Sequence, residues 1–229
     1  MKIAFTTSLF GCRRFDPYHF KCIDQFDYFL FSDRDQSDFN TSWKVYNISK
    51  NPNILNLNCN VRKSRYAKFM GWELFKSMGL KYDVIYYCDS HWRPKHNADF
   101  LSFSKKLVKC TFPFFQEKHP FCHSGGILDE CNLIIDHHKD SKKQIQKTIS
   151  FFKTQYPNIS LSAKQYYENT VFAYSPVEQV KKITKDFWSI YSQNDISFRD
   201  QPTWNLMLLK YKLHPHNSPH VRSMFERCE

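Results

Sequence analysis

The chain has 229 residues, 41% of them hydrophobic and 17% aromatic, enough apolar side chain for a sizeable core, which excludes a disordered segment. Glycine is scarce at five residues, and neither G-x-G-x-x-G nor G-x-x-x-x-G-K-[ST] occurs, so a glycine-rich dinucleotide or Walker loop is excluded as well. A formal charge of +11 asks for an anionic partner, but Lys and Arg are spread along the chain and do not choose among nucleic acid, an anionic membrane surface and a phosphorylated small molecule.

In chain order, the first predicted strand is Lys2 to Thr7, running into the turn "SLFGCRRF". The second is Tyr28 to Ser32, closed by Asp33-Arg34-Asp35, and the third is Trp43 to Ser49. An Asn-rich loop, Asn51 to Asn60, leads into "VRKSRYAKFMGWELFKSMG". There Tyr66, Phe69, Met70, Leu74 and Phe75 recur at helical spacing, and Gly79 supplies a C-cap. Val84 to Cys88 is the next strand, Phe100 to Leu107 a short helix and Cys110 to Phe115 a strand. Asp129 to Tyr156 predicts one or two helices, Val171 to Tyr174 a short strand, Val177 to Tyr191 an amphipathic helix and Gln201 to Leu209 the last helix. Strand, strand, strand, helix, strand opens an α/β sheet with crossovers. No repeat or linker divides the chain, so one domain over residues 1–229 is expected.

No apolar run approaches the roughly 20 residues that span a bilayer, and acidic residues soon follow the N-terminal strand, which argues against a signal peptide. A cytoplasmic protein with no transmembrane segment is therefore expected. The eight cysteines form no C-x-x-C pair, which points to reduced, mostly buried thiols and not to a zinc ribbon.

Ligands of open α/β sheets bind beyond the carboxyl ends of the strands. Three predicted strand ends carry polar residues there: Thr6-Thr7, Asp33, and Asp89-Ser90-His91. Residues two apart in an extended segment project to one side, so Asp89 and His91 can reach one ion, and a carboxylate with an imidazole suits Mn²⁺ or a related divalent ion. A strand-terminal Asp that caps the next turn, beside an exposed His, is the competing reading. Arg62, Lys63, Arg65 and Lys68 gather at a helix start, either as a phosphate site or as a solvated face. "KHPFCHSGGILDE" offers His119, His123, Asp129, Glu130 and a Gly125-Gly126 pair that lets backbone approach a ligand, or it is a turn before a helix. In "FRDQPTW", Asp200 is either an N-cap or a carboxylate at a substrate hydroxyl, and both roles are compatible. The closing His214, His216 and His220 are further possible ligands.

Taken in order, "KIAFTTSLFG", "DYFLFSD", "SWKVYNI", "RKSRYAKF", "DVIYYCDS", "KHPFCHS…LDECNLII", "YENTVFAYS" and "FRDQPTWNLML" resemble the glycosyltransferase-like family long catalogued as a domain of unknown function. That family includes plant mucilage-pectin glycosyltransferase relatives and many bacterial and viral proteins. The chain is also similar to small virus-encoded glycosyltransferases of the GT-A fold, and the similarity runs from about Met1 to Leu213. The resemblance implies a GT-A-like α/β fold, a central mixed sheet flanked by helices, acting on nucleotide sugars. It places Asp89 at the metal position of a D-x-D-like motif, Arg62, Arg65 and Lys68 near the donor, and Arg199-Asp200-Gln201 at the sugar or acceptor. The chain departs from the family where Asp-Gly and a small polar residue become Asp-Ser-His, and where His123 replaces a common Arg.

The expectation is thus a metal-dependent glycosyltransferase, with a UDP-sugar as donor and a hydroxyl of a glycan or other acceptor as target. Base and ribose lie near Thr6, Thr7 and Asp33, with His119 and His123 among the donor contacts. Mn²⁺ or Mg²⁺ sits on Asp89 and His91, and Asp200 orients the acceptor hydroxyl or steadies positive charge. The opposing reading is a basic, non-catalytic nucleic-acid-binding domain with Phe and Tyr as stacking platforms. The strands and apolar helix faces claim most of those aromatics, so no nucleic-acid partner is expected. A metal-dependent hydrolase is a third reading, short of ligands.

Overall fold

The structure, a computed structural model, describes residues 1–11, 22–119, 125–193, 195–217 and 219–228, without the side chains of residues 219 and 220. Its strands are β1 (Ile3–Leu9), β2 (Asp27–Ser32), β3 (Lys44–Asn47), β4 (Val84–Cys88), β5 (Trp92–Pro94), β6 (Phe114–Lys118), β7 (Tyr167–Tyr174), β8 (His216–Asn217) and β9 (Phe225–Arg227). The helices are α1 (Asn60–Ser77), α2 (Phe100–Leu107), α3 (Gly126–Asp136), α4 (Lys142–Gln155), α5 (Glu178–Tyr191), α6 (Asp200–Lys210) and α7 (Pro219–Ser223).

The fold is α/β. Among the described residues the central sheet has seven strands in the order β3-β2-β1-β4-β7-β6-β8, and β5 pairs with β9 in a separate ribbon. Parallel pairing runs β3-β2-β1-β4, and β7 is antiparallel to both β4 and β6, so the sheet is mixed. The chain winds outward from β1 to β2 and β3, then returns through α1 to β4 on the other side of β1. The strand order therefore switches direction between β1 and β4, the place where an open α/β sheet leaves a crevice at its carboxyl edge.

Both faces are buried by aromatics. On one, Phe5 stacks between its parallel neighbours Tyr28 and Tyr86, with ring centroids 4.9 Å away on each side, and Phe100 of α2 meets it edge-on at 4.7 Å. On the other, Phe69 of α1 lies 5.5 Å from Phe172 of β7, 4.3 Å from Phe187 of α5 and 5.0 Å from Trp204 of α6. Aromatic pairs of this kind contribute about 0.5–1.5 kcal/mol each beyond the area they bury, so they fix the register as well as the layer.

Several expected boundaries move. β1 continues past Thr7 to Leu9 because its ladder with β2 runs on to Leu9 opposite Ser32. The strand expected at Cys110 to Phe115 begins instead after Pro113, which has no N–H to donate, and reaches Lys118. β7 starts four residues earlier than the expected Val171, and the long Asp129 to Tyr156 segment is two helices, α3 and α4, separated by His138 at φ 51°. β4, α2 and the Gly79 stop (φ 71°) are where the sequence puts them. Of the thiols expected to be mostly buried, Cys88 and Cys131 are, whereas Cys22, Cys59, Cys110 and Cys228 are half-buried. No helix among the described residues is long and apolar enough to cross a membrane.

The glycine pair of "HSGG" lies close to its own chain. Gly126 has φ 55°, and a Cβ there would stand 2.1 Å from the Ala163 carbonyl oxygen, while a Cβ on Gly79 would meet nothing. Gly79→Ala should therefore cost about 1–2 kcal/mol for its left-handed backbone alone. Gly126→Ala adds a backbone clash and should cost roughly 2–5 kcal/mol. Urea unfolding midpoints of the two variants measure the difference.

Candidate active site

A cavity of about 450 Å³ opens at the switch between β1 and β4. Ser8 to Gly11 at the end of β1 form one wall and Asn60, Val61, Ser64 and Arg65 from the first turns of α1 another; Tyr87 and Asp89 to His91 at the end of β4, with Arg199 before α6, complete it. The Asp-Ser-His segment is a tight turn. The Asp89 N–H donates to the Thr170 carbonyl (2.9 Å), Trp92 N–H donates back to the Asp89 carbonyl (2.8 Å), and β5 then leaves with β9. The backbone of Asp89 is thus fixed from both sides, and its side chain lies against the cavity.

Behind the cavity two cations and two carboxylates are buried together. Asp89 Oδ1 accepts from Tyr87 Oη at 3.0 Å and Lys68 Nζ at 3.3 Å, with Arg65 Nη1 at 3.9 Å. Asp200 Oδ1 accepts from Arg65 Nε at 3.1 Å, and its Oδ2 accepts from Lys68 Nζ at 3.2 Å and Asn169 Nδ2 at 3.0 Å. The side chains of Lys68 and Asp200 are only 2% and 4% exposed, so neither charge is tolerable without the other. Burial alone would raise the Asp200 carboxyl, but Arg65, Lys68 and Arg199 hold it well below the usual carboxylate range, and it is ionised. Burial pushes the Lys68 ammonium below its ordinary value against the pull of Asp200 and Asp89. Burial and then Asp89 push the Tyr87 phenol well up, so Tyr87 donates to Asp89 and Ser8 Oγ, 3.2 Å away, donates to Tyr87.

The structure brings Asp89, His91, Arg65, Lys68, Arg199 and Asp200 to this place and takes several expected residues elsewhere. Arg62 is spent on its own chain: it donates to the carbonyls of Tyr191 and Ile196 and so closes the C-terminal end of α5, away from any donor. Thr6 and Thr7 sit inside β1 and not at its end. Thr6 Oγ1 donates to the Tyr86 carbonyl, and Thr7 Oγ1 is buried with no hydrogen-bond partner on the opposite face. The strand-end residues are instead Ser8 to Gly11. Asp33 braces that turn by accepting from the Gly11 N–H at 3.0 Å. His119 lies past the end of β6, bonded through its N–H to the Tyr166 carbonyl and 3.5 Å from Glu130, and does not line the cavity. His123 lies outside the described residues. Asp200 is not an N-cap: Arg199 holds that position, and Asp200 is the first helical residue. Gln201 Nε2 is buried without a hydrogen-bond partner, a donor that costs stability until something accepts from it. His214 and His216 are exposed.

Sequence reasoning missed the groups that aim Asp200. Trp204 Nε1 donates to Gln116 Oε1 (3.0 Å), Gln116 Nε2 donates to Asn169 Oδ1 (2.5 Å), and Asn169 then presents its amide to Asp200. Asn169 was visible only as part of "YENT", and no periodicity marks a side chain whose partners lie 31 and 53 residues away. Its neighbour Glu168 points to the other side of the sheet, where Arg222 of α7 meets it at 2.8 Å and Glu117 of β6 at 3.5 Å.

Asp89 and His91 were the expected metal ligands, and both line the cavity. As they stand they fit a cation poorly. Asp89 already serves Lys68 and Arg65, which lie 3.3 Å and 3.9 Å from its Oδ1. A divalent ion on that carboxylate would stand beside both cations, where two unit charges 4 Å apart already repel by about 4 kcal/mol at an effective dielectric near 20.

No protein-family model matches the chain, and no curated protein matches it significantly.

Glu168 gives this region a pH signature. Burial pushes its carboxyl up to about 7, with Glu117 adding to the rise and Arg222 and, from α1, Lys68 opposing it. Between its ordinary 4.5 and about 7 the folded chain holds a proton that the unfolded chain has lost, so this contribution to stability is full below that window and is lost as pH rises through it. Glu168→Gln should therefore be more stable than wild type at pH 8, on the order of 1–3 kcal/mol, with the difference shrinking as pH falls through the window and gone by about pH 4. Chemical unfolding at the two pH values measures it.

Proposed function

We propose that the chain is a glycosyltransferase that moves a sugar from a nucleoside-diphosphate sugar, a UDP-sugar, to a hydroxyl of a glycan or other acceptor. The observation that carries this reading is the cavity at the switch of the sheet, walled by Arg65, Arg199 and the first turn of α1, with Lys68 behind it. Backbone N–H groups at a helix start and fixed guanidinium groups are the donors a diphosphate takes. The mixed sheet flanked by helices is compatible with a GT-A-like fold, and the eight matching segments described above lend the reading its reaction type.

In the reaction, the bond from the anomeric carbon to the β-phosphate oxygen breaks and its electron pair leaves with UDP. The acceptor oxygen bonds to the anomeric carbon and its proton passes to solvent. Arg65, Lys68 and Arg199 face the charge that grows on the leaving phosphate, stabilisation of the kind that dominates many transfer reactions. Asp200 is held ionised by its two cations and has little affinity for a proton. It is suited to steady positive character on the sugar ring and poorly suited to act as a base.

No Phe, Tyr or Trp among the described residues is exposed, so those residues offer the nucleic-acid reading no stacking platform. Calorimetric titrations with UDP and with a single-stranded oligonucleotide decide between the two. UDP should bind and the oligonucleotide should not, and Arg199→Ala should weaken UDP roughly 10- to 100-fold, the loss of one charge-assisted contact. Salt-sensitive oligonucleotide binding with no UDP signal would sink the transferase.

A further inference from the structure

The residues that the D-x-D-like position offers a metal are already committed to cations. Asp89 Oδ1 accepts from Lys68 and Tyr87 and lies 3.9 Å from Arg65, and the same Lys68 and Arg65 are held in place by Asp200. Lys68 has no room to withdraw, since its side chain is 2% exposed and its ammonium packs 5.0 Å from the Tyr87 ring and 5.9 Å from the Phe69 ring. Among the described residues, three cations, Arg65, Lys68 and Arg199, stand against the two carboxylates, an excess of one positive charge before any ligand arrives. The start of α1 adds the positive end of its dipole at the same wall.

Resting on the transferase reading above, we infer that Arg65, Lys68 and Arg199 neutralise the donor's diphosphate by themselves, and that Asp89 holds cations and not a divalent ion. In the unliganded protein Asp89 occupies the donors that phosphate oxygens take over. Its carboxylate, 22% exposed toward the cavity, then competes with the phosphate for Lys68 and Arg65. A metal site predicts the opposite, because there the same carboxylate recruits the ion that binds phosphate.

The two outcomes separate by calorimetry on metal-stripped protein in EDTA, with inorganic pyrophosphate and UDP as probes. Both should bind without metal, and replacing EDTA by Mn²⁺ should change the UDP affinity less than about threefold, whereas Asp89→Asn should bind UDP as tightly as wild type or up to about tenfold tighter. UDP binding that appears only with Mn²⁺ would overturn the inference and leave the transferase standing. Pyrophosphate binding in EDTA with no preference for UDP would do the reverse. Mn²⁺ is also titrated into the wild-type protein alone, read by loss of the free-ion paramagnetic resonance signal. A stoichiometric Mn²⁺ site would overturn the inference even if Asp89→Asn failed to fold, and failure of every probe to bind would overturn both readings.

Discussion

Everything near the cavity is held in register by the charged quartet of Arg65, Lys68, Asp89 and Asp200, of which Lys68 and Asp200 are buried and Arg65 and Asp89 half-buried. Its members come from three elements distant in sequence: the second turn of α1, the end of β4 and the first residue of α6. Removing one partner from such a set leaves a charge buried and uncompensated, typically at a cost of about 3–5 kcal/mol, so the arrangement is stable only as a whole. The quartet does not stand as an argument for overall stability, since apolar side chains of similar volume often replace such networks without loss. What it secures is placement: two cations are fixed at a crevice from which hydrocarbon would have excluded them.

The aromatic layers make that placement possible. Phe69, one residue after Lys68, packs against Phe172, Phe187 and Trp204, and Trp204 in turn anchors Gln116, then Asn169, then Asp200. A single aromatic cluster thereby sets the height of α1 on the sheet and the direction of the carboxylate at the start of α6. The other face, built around Phe5 between Tyr28 and Tyr86, locks β1 to both of its neighbours and so fixes the width of the crevice. Seventeen per cent aromatics is in this sense a statement about the scaffold and not about a stacking surface.

What the sequence made legible divides along the range of the interactions involved. β4 could be read to the residue because five apolar positions end abruptly at Asp89, and Gly79 because a left-handed stop is a local requirement. Asp89, Arg65 and Lys68 do come together, as their places at a strand end and a helix start suggest. Apart from the start of β6, set locally by Pro113, the failures are long-range. Thr6 and Thr7 looked like the end of β1 because nothing local shows that pairing with β2 continues. β7 looked short because Tyr167, Glu168 and Asn169 read as loop residues until Asn205, Gln116 and Arg222 satisfy them from elsewhere. Asp200 resembled an N-cap in every local respect, and only the partners across the sheet give it a different task.

Arg62 and Arg65 carry the sharpest lesson about charge. They lie three residues apart in one basic run, and composition gives no reason to treat them differently. Yet Arg62 turns to the carbonyls at the end of α5, where the helix dipole is negative, and Arg65 turns to Asp200 and the cavity. A helical step of three residues is enough to send one guanidinium to backbone carbonyls and the other to the cavity. The net charge of +11 is therefore a poor guide to where this protein meets an anion. The guide is which cations the fold leaves at a cavity while keeping them from their own backbone, and among the described residues those are Arg65 and Arg199, with Lys68 buried behind them.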